Sequence, residues 1–489
     1  MTRGKKTART SLFFSLLIVL CLTIAMGLRA FWAFTAGFTS DEGWWTIGAK
    51  NMLLHRTVTL ARWETLSQSP VSTALFYLWQ WAAGIGVAKV RILMLVLALW
   101  QLVAFYLLVK RWEGCSVAVF ALLLVGLQFP LVIRSACVYL EPVAMSLSLL
   151  ALLLAASEKR WLLAAAGVFL GLTLGTKVTE AWAVAVSLIF ACLQAGADHR
   201  KRWTNVRLLL IACIITGLAV YGFAYIMSPG NFSLTWRTYL FENVGRSGLA
   251  TWRGLLINLW SLIKQILPFG AAFAALIYMS QSRALRRTFD TRDLKRLLIP
   301  TLWLGAFFLI SFPFSALRLW RLYAVYWPLS WLAAKGTILF REHAPLKRHF
   351  REHLAAVYMA ALVLWSSALT ARQFWLSPKT FADDIAVVKW GNVHVKPGEK
   401  AVASARFGAG FQFVVYDLRD VADEQDWVLP SEAIKGDPLI SWFFVDNGEW
   451  LTWADRRRYA DILGCDLVRE AVQVTVLPGV QVWRRLTTK

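Results

Sequence analysis

The stretch Thr39-Ser-Asp-Glu-Gly-Trp-Trp-Thr-Ile-Gly-Ala-Lys50 follows the first long apolar run of the chain. It places two adjacent carboxylates, Asp41 and Glu42, at the point where a predicted membrane helix ends. A carboxylate pair at this depth loses solvation energy unless it stays wet or has a partner. Thr39 and Glu42 also fit a capping box, which satisfies free backbone N–H groups at a helix start. Two interpretations therefore stand at this point: a capped helix on the bilayer, or a pair of functional carboxylates.

Composition assigns the rest of the chain to the membrane. Of 489 residues, 58% are hydrophobic and 17% are charged, and the mean hydropathy is +0.54. A soluble core cannot bury this much apolar residue, so the sequence predicts a polytopic membrane protein. The formal charge of +23 comes largely from Lys and Arg in short loops, where such charge sets topology. Nucleic acid is therefore excluded as a partner.

Hydropathy predicts about eleven membrane spans in a mainly α transmembrane helical bundle. The apolar segment from Val71 to Gly86 is too short for a span, and we expect a helix that lies on the outer leaflet or dips into it. The predicted spans are 11–34, 90–109, 115–133, 138–156, 161–176, 178–195, 207–227, 255–280, 297–315, 322–340 and 354–372.

The distribution of basic residues orients these spans. With the short helix left out of the count, all basic clusters fall on one side of the membrane, which the positive-inside rule makes the cytoplasm. The N-terminus is then cytoplasmic, while the first outer loop, 35–89, and the C-terminal tail face the periplasm. The clusters are Arg3 to Arg9, Lys110-Arg111, Lys159-Arg160, Arg200 to Arg202, Arg283 to Arg296 and Arg341 to Arg351.

Composition changes at Ser377 to that of a small soluble domain. We expect two domains, a transmembrane catalytic domain at 1–376 and an extracytoplasmic α+β domain at 377–489. A helix between Thr452 and Gly464 fits the capping and termination signals there. The predicted strands are 411–416, 439–445, 472–477 and 480–484.

Charged residues gather at the outer ends of the predicted spans. Several are cations on the side that the positive-inside rule disfavours, so we expect them to neutralise an anionic group such as a lipid phosphate. The alternative is that they are snorkelling helix ends or internal salt bridges, for example Arg134 with Glu141. The residues are Asp41, Glu42, Arg134, Glu141, Lys177, Glu180, Arg318 and Arg321.

An ordered set of short motifs resembles a known family. The motifs are Asp41-Glu42, Gln68-Ser-Pro70, Val90-Arg91, Arg134 with Glu141-Pro142, Gly175-Thr-Lys177, Arg321-Leu-Tyr323 and Trp327-Pro328. In this order they resemble the GT-C superfamily of membrane glycosyltransferases, in particular the branch of protein O-mannosyltransferases and aminoarabinose transferases. The resemblance covers residues 11 to 340, and bacterial members also have a C-terminal soluble domain.

The resemblance implies an enzyme that moves a hexosyl or pentosyl group from a polyprenyl-phosphate donor to an acceptor glycan, lipid or protein. Transfer takes place on the outer face, in a bacterial inner membrane, and inverts the anomeric centre. Asp41 matches the family's proposed base, and a carboxylate can deprotonate an attacking hydroxyl or amine. Cations at Arg134, Lys177, Arg318 and Arg321 would stabilise the departing phosphate. Glu42 and Glu141 would position the acceptor, the sugar or those cations.

One motif departs from the family pattern. Gln68-Ser69-Pro70 stands where the aminoarabinose-transferase branch has an acidic residue and a lysine before the proline, so metal and phosphate contacts are not carried over. No cofactor is required. Asp41, Glu42 and Glu141 are candidate oxygen ligands for a divalent cation, and the histidines form no zinc motif.

Two other functions explain the same cationic rim. A transporter or flippase of lipid-linked sugars would need it too, but would predict related halves, and no internal repeat is evident. A catalytically silent membrane scaffold would retain the carboxylate pair without an acceptor site. Substitution of Asp41 separates the classes, because it abolishes transfer in an enzyme and leaves assembly intact in a scaffold.

Overall fold

The structure is a computed structural model, and a defined part of the chain is described. The described residues are 2–37, 40–56, 65–157, 159–195, 199–237, 256, 260, 263, 267–270, 272–274, 291–311, 323–344, 346–376, 381–395, 400–403, 440–446, 471–477 and 480–486. For residues 2–13, 40, 41, 55, 65, 195 and 199 the main chain alone is described, and the same holds for some other residues inside later elements, among them Arg237.

The described chain is mainly helical. In chain order its helices are α1 Thr2–Thr35, α2 Ser40–His55, α3 Thr65–Gln68, α4 Pro70–Ala83, α5 Val87–Glu113, α6 Cys115–Leu127, α7 Phe129–Ala136, α8 Leu140–Ala155, α9 Arg160–Leu174, α10 Val178–Ala195, α11 His199–Met227, α12 Pro229–Arg237, α13 Thr291–Ser311, α14 Tyr323–His343, α15 Arg348–Leu376 and α16 Phe381–His394. A short 3₁₀ turn spans Leu267–Phe269.

The predicted spans coincide with helices wherever the chain is described. Four of these helices, α1, α5, α11 and α15, are long and apolar enough to cross a membrane singly. The bent pair α6–α7 makes a fifth if it is one span, and α8, α9 and α10 are shorter apolar helices. The chain is thus a multi-pass helical protein, while the number eleven stays a prediction. The predicted span 255–280 lies mostly outside the described residues.

The predicted span 115–133 is not one straight helix. It breaks at Gln128 into α6 and α7, whose axes differ by 65°. Pro130 explains the break, because proline has no N–H to bond the carbonyl four residues earlier, that of Gly126. The break turns the end of the span, and with it Arg134, away from the line of α6.

Small residues set the closest helix packing in the bundle. Gly167 and Gly171 of α9 face α11, where an added Cβ at Gly171 would lie 2.7 Å from the carbonyl oxygen of Cys213. Helices in membranes associate through such close backbone approach. Large aromatic side chains fill the space elsewhere: Trp303, Trp327 and Trp331 are buried, and Phe105 meets Trp327 edge to face at 5.1 Å.

The short predicted helix between Val71 and Gly86 is confirmed as α4. One side of it is buried, including Phe76 and Gln80, while Leu78 and Trp81 are exposed. The main-chain N–H of Val71 donates to the carbonyl of Gly175 at 3.1 Å, and the Ser69 hydroxyl donates to the carbonyl of Thr176 at 2.9 Å. These bonds hold the start of α4 against the turn that precedes Lys177. Its position in the outer leaflet stays a prediction.

The tail contains a small mixed sheet. Its strands are β1 Lys400–Ala403, β2 Ile440–Asp446, β3 Ala471–Leu477 and β4 Val480–Arg485, in the order β1-β2-β4-β3. Strand β1 is parallel to β2, and the β2–β4 and β3–β4 pairs are antiparallel. Trp390 of α16 packs edge to face on Trp442 and Phe444 of β2. A small sheet in the tail is thus confirmed, while the separate α+β domain stays a prediction.

Three predicted strands, 439–445, 472–477 and 480–484, are confirmed with shifts of about one residue. The sequence patterns did not predict β1 or α16. The strand predicted at 411–416 and the helix between Thr452 and Gly464 lie outside the described residues. The domain boundary at 376 and 377 stays a prediction.

Candidate functional site

The predicted site residues fall into two groups. The side chains of Glu42, Arg134, Glu141 and Lys177 are described and lie at the ends of helices. Asp41 lies in the first turn of α2, where its main chain alone is described. Arg318 and Arg321 lie outside the described residues, and their predicted roles stay predictions.

Glu42 is fixed by a buried ion pair with Arg91. Arg91 Nη2 lies 2.7 Å from Glu42 Oε2, and Arg91 Nε lies 2.8 Å from Oε1. The side chains are 0% and 1% exposed. A guanidinium that meets both oxygens of a carboxylate forms one of the strongest ion pairs available to a protein. The pair therefore fixes the first turn of α2, to which Asp41 also belongs, against the first turns of α5.

Arg91 also holds the end of α1. Its Nη1 donates to the carbonyls of Ala33 and Ala36 at 2.7 and 2.8 Å, and its Nη2 donates to that of Gly37 at 3.0 Å. Carbonyls at a helix C-terminus have no partner within the helix. With the two bonds to Glu42, these contacts use as many donors as a guanidinium has. Buried in this way, Arg91 is satisfied although it lies among apolar helices.

Arg91 belongs to the motif Val90-Arg91 but was not among the predicted site residues. The available signal was its position, a cation in the first turns of an apolar span. Its partner Glu42 is 49 residues away in the chain, and no local pattern joins residues so far apart.

Glu42 extends the network to the linker between α7 and α8. Its Oε1 accepts a hydrogen bond from the main-chain N–H of Val138 at 3.2 Å. The same linker contains Tyr139, and the guanidinium carbon of Arg134 lies 3.6 Å above the centre of the Tyr139 ring. This is a close cation–π contact, and Arg134 itself is 6% exposed. The linker thus joins the Glu42 pair to Arg134.

Lys177 bridges two carboxylates. Its Nζ lies 2.8 Å from Glu141 Oε1 and 3.0 Å from Glu180 Oε1. The turn after α9 presents it, since the N–H of Lys177 donates to the carbonyl of Thr173 at 2.8 Å. The Lys177 side chain is 22% exposed and the carboxylate side chains are 9% and 1% exposed, so Lys177 is the most exposed member of the group. The internal salt bridges of the alternative interpretation are present, with Lys177 as the described partner of Glu141.

The charge state of Lys177 follows from these neighbours. Burial of the ammonium lowers the pKa of Lys177, but the negative charges of Glu141 and Glu180 outweigh that effect and raise the pKa above its ordinary value. Lys177 is therefore a fixed cation at neutral pH. A fixed cation can hold an anionic ligand, but it cannot act as a base there.

These groups lie together at one end of the helical bundle. Helix α1 ends there, α2 and α5 begin there, and the α7–α8 and α9–α10 connections meet there through the bonds of Glu42 and Lys177. The three described cations and the three described carboxylates are equal in number, so their formal charges cancel. The members are Glu42, Arg91, Arg134, Glu141, Lys177 and Glu180.

The described residues contain no group of three or more His, Cys, Asp or Glu side chains with metal-binding geometry. Within that part of the chain, Glu42 and Glu141 each pair with a cation, Arg91 and Lys177. The side chain of Asp41 is outside this statement.

The helical bundle with its small sheet has the fold of the GT-C membrane glycosyltransferases, which confirms the resemblance at the level of fold. The structure is similar to ArnT from Cupriavidus metallidurans bound to undecaprenyl phosphate, with a TM-score of 0.61 and 12% sequence identity over 98% of both chains. It is also similar to the archaeal oligosaccharyltransferase AglB from Archaeoglobus fulgidus in complex with an inhibitory peptide and a dolichol-phosphate. That match has a TM-score of 0.57 and 13% identity over 98% of this chain and 75% of AglB.

A second structure of the Archaeoglobus fulgidus oligosaccharyltransferase, in complex with Zn and sulfate, matches with a TM-score of 0.57 and 14% identity over 92% of this chain and 70% of that one. No protein-family model matches the chain, and no curated protein sequence matches it. At these identities the likeness establishes the fold, and the activity is argued from the site.

Proposed function

We propose that the protein is an inverting glycosyltransferase that moves a hexosyl or pentosyl group from a polyprenyl-phosphate donor to an acceptor glycan, lipid or protein. The observation that carries the proposal is the Glu42–Arg91 clamp, which fixes the helix turn of Asp41 within a cluster of buried charges at one end of an apolar bundle. Buried ionisable groups in membrane helices mark functional sites by default. Asp41 is the proposed base.

The proposed reaction needs one base and a good leaving group. As Asp41 accepts the proton of an acceptor hydroxyl or amine, the acceptor atom bonds to the anomeric carbon from the face opposite the phosphate. The bond between that carbon and the phosphate oxygen breaks, and its electron pair leaves with the phosphate. A phosphate monoester has a second pKa near 6, so it departs as an anion without protonation by an acid.

Cations stabilise the charge that develops on the phosphate. Lys177 supports this role best among the described residues, because it is charged at neutral pH and 22% exposed. Arg134 lies in the same cluster, and Arg318 and Arg321 complete the proposed phosphate site. Glu42 and Glu141 position the acceptor, the sugar or the cations, and their ion pairs with Arg91 and Lys177 support the last of these roles.

The similar structures support a lipid phosphate as the donor group. ArnT was solved with undecaprenyl phosphate and AglB with a dolichol-phosphate, both over nearly the whole of this chain. We infer that a polyprenyl phosphate occupies the corresponding end of this bundle. Its long apolar chain would lie among membrane lipids, which is consistent with a site at the end of membrane helices.

The proposal includes the membrane arrangement predicted from the sequence. About eleven spans form a catalytic domain at 1–376 in a bacterial inner membrane, with a cytoplasmic N-terminus. Residues 377–489 form a periplasmic α+β domain in this arrangement. No metal is required for the steps above. The complex of AglB with Zn motivates a chelator arm in the experiment below.

The experiment uses purified protein in lipid vesicles with a mixed pool of polyprenyl-phosphate sugars and an acceptor-containing membrane extract. Freed carrier is followed by mass spectrometry for wild type, Asp41→Asn and the control Glu352→Gln, an exposed residue at the start of α15. We expect release by wild type and the control, with or without a chelator, and none by Asp41→Asn.

Two other outcomes separate the competing functions. A transporter moves the lipid-linked sugar across the vesicle membrane without freeing the carrier, and Asp41→Asn then has no effect on release. A silent scaffold neither moves nor cleaves the donor, and both proteins behave alike. Either result contradicts the proposed transfer reaction.

A further inference from the structure

Arg29 is a buried cation inside the first membrane helix, apart from the charged cluster of the site. It is 1% exposed and lies within the apolar segment Phe14–Thr35 of α1. A charge within a membrane helix is costly, so it is retained where it has a definite partner and purpose. The proposed reaction does not use Arg29, and the sequence analysis did not single it out.

The contacts of Arg29 lead to the broken span. Its Nη1 donates to the carbonyl of Gly126 at 2.7 Å and to that of Ala25, in its own helix, at 2.9 Å. Its Nε donates to the Ser135 hydroxyl at 2.8 Å. One guanidinium therefore reaches the last turn of α6 and the last turn of α7, on both sides of the 65° bend.

The carbonyl that Arg29 bonds is the one that the bend leaves open. Pro130 has no N–H, so the carbonyl of Gly126 lacks its partner four residues ahead. The neighbouring carbonyl, that of Leu127, accepts a hydrogen bond from the Ser366 hydroxyl of α15 at 2.6 Å. In a membrane, freed backbone groups must be satisfied within the protein. Arg29 and Ser366 meet this need for consecutive carbonyls.

Close packing between α1 and α6 fixes the distance between Arg29 and the bend. A Cβ added at Gly126 would lie 3.0 Å from the Cβ of Ala25, so α1 and α6 are in direct contact beside the bend. The hydroxyl of Ser135 also donates to the carbonyl of Leu131 within α7. Arg29 thus holds α7 through the Ser135 side chain, which is itself hydrogen-bonded within α7.

Arg134 directly precedes Ser135 in α7. The hydrogen bonds that Arg29 donates to Ser135 and Gly126 therefore set the direction of α7. They also set the place of Arg134 over the Tyr139 ring. We propose that Arg29 is a positioning residue that holds α7 at its bend so that Arg134 faces the phosphate of the donor. The role of Arg134 rests on the proposed function, whereas the control of the bend does not.

The geometry requires a guanidinium. Arg29 bonds acceptors on three different residues with its planar fork of donors. A lysine at this position has a compact ammonium in place of the planar fork, so it does not reproduce all three bonds in the same geometry. An apolar residue removes the charge and also leaves the Gly126 carbonyl unsatisfied. Arg29→Lys keeps the charge and changes only the donor geometry, so it is the sharper test.

The test measures donor KM and kcat in lipid vesicles for wild type, Arg29→Lys, Arg134→Gln and the double variant. Ile24→Ala, a lipid-facing change in the same helix, is the control. We expect Arg29→Lys to raise the donor KM about tenfold, the scale of one charge-assisted hydrogen bond. The double variant should be no weaker than Arg134→Gln alone, because Arg29 acts through Arg134.

A purely structural role gives a different pattern. It lowers the active fraction and leaves KM unchanged, or it makes the KM effects of Arg29→Lys and Arg134→Gln additive. Either result overturns the positioning role. Ser366→Ala, which removes the other cap of the bend, should raise KM by less than Arg29→Lys does.

A structure of Arg29→Lys in lipid, solved with a bound antibody fragment, keeps the two claims apart. If wild type neither turns over nor binds undecaprenyl phosphate, the proposed function fails. The angle between α6 and α7 in the variant still tests the role of Arg29. A changed angle between α6 and α7, with Arg134 displaced from Tyr139, supports its control of the bend. An unchanged α7 contradicts it, whatever the activity.

Discussion

Helix α5 carries a buried ion pair at each end, and the two pairs differ in what they hold. Near its start, Arg91 binds Glu42 and three carbonyls around the end of α1. At its end, Glu113 lies 2.6 Å from the ammonium of Lys335 in α14, with 0% and 11% exposure. Arg91 and Glu113 are roughly 33 Å apart along α5 at 1.5 Å per residue.

The two pairs differ in how many chain segments they connect. The Arg91 pair joins α1, α2, α5 and, through Val138, the linker that precedes Glu141. The Glu113 pair joins α5 to α14 at the end away from the proposed site. Both pairs are buried, so burial alone does not mark a site. We propose that the pair at the site is the one that also joins Asp41's helix turn to the linker before Glu141.

The largest expected effect compares Glu42→Gln with Glu113→Gln. Removing one partner of a buried ion pair costs about 3–5 kcal/mol, so both variants should lose stability in thermal unfolding. Transfer per folded molecule should fall to background for Glu42→Gln and stay near wild type for Glu113→Gln. Equal activity of the two variants would contradict the distinction between the ends of α5.

Exchanging arginine and lysine tests whether the planar guanidinium is needed in each of the two ion pairs. Arg91→Lys keeps the charge but loses the paired contact with Glu42 and the bonds at the end of α1, so kcat should fall about a hundredfold, the scale of two lost hydrogen bonds to charged groups. Lys335→Arg keeps a cation beside Glu113 and should leave kcat unchanged. Steady-state kinetics in vesicles measures both, and an active Arg91→Lys enzyme would show that Glu42 needs charge alone.

Lys177 tests the phosphate side of the cluster. Lys177→Gln should raise the donor KM about tenfold or more, because a buried cation near the phosphate is lost, while Lys177→Arg should restore most of the affinity. Binding of undecaprenyl phosphate, measured by intrinsic fluorescence, gives the same comparison without turnover. Equal affinities for wild type and Lys177→Gln would remove Lys177 from the site.

The pH dependence of Lys177 has a definite sign. Its pKa is raised in the folded protein above the ordinary value of 10.5, so the stability that it contributes is full below that value. The contribution is lost as the pH rises through the raised pKa. Unfolding titrations of wild type and Lys177→Gln should therefore converge as the pH rises above about 10. A change at lower pH reports Glu141 and Glu180, which lose their shared cation in the variant. A difference in stability that grows above pH 10 would contradict this.

The smallest expected effect concerns packing away from the charges. Gly171→Ala places a Cβ 2.7 Å from the carbonyl oxygen of Cys213 and should destabilise the protein by about 1–3 kcal/mol. Gly217→Ala, in the facing helix α11, meets no atom within 4 Å and should be neutral or slightly stabilising. Thermal unfolding of the pair measures the contact, and equal melting temperatures would contradict it.

The sequence predicted the parts of the fold that depend on local composition. Apolar runs gave the positions of α1, α5, α11 and α15, and alternating residues gave β2, β3 and β4, because burial imposes these patterns directly. Strand β1 has four residues, which is too short to show a pattern. The break at Gln128 was missed although Pro130 is visible, because hydropathy reports how apolar a run is and not whether it is straight.

The site was predictable as a set of residues but not as a set of partners. Glu42, Arg134, Glu141 and Lys177 were identified from their places at span ends, and the structure brings them to one end of the bundle. Arg91 and Arg29 were missed because their partners lie 49 and up to 106 residues away. Such pairings depend on which helices are neighbours, and no period in the sequence encodes that.

The most direct test of the central claim is the single-turnover rate of sugar transfer by Asp41 variants in lipid vesicles, with whichever polyprenyl-phosphate sugar wild type accepts. If Asp41 is the base, Asp41→Asn should bind the donor as wild type does and lose at least about a thousandfold in rate, toward the upper part of the range for general-base catalysis. Asp41→Glu should recover part of that rate. An Asp41→Asn protein that transfers sugar at the wild-type rate would contradict the account.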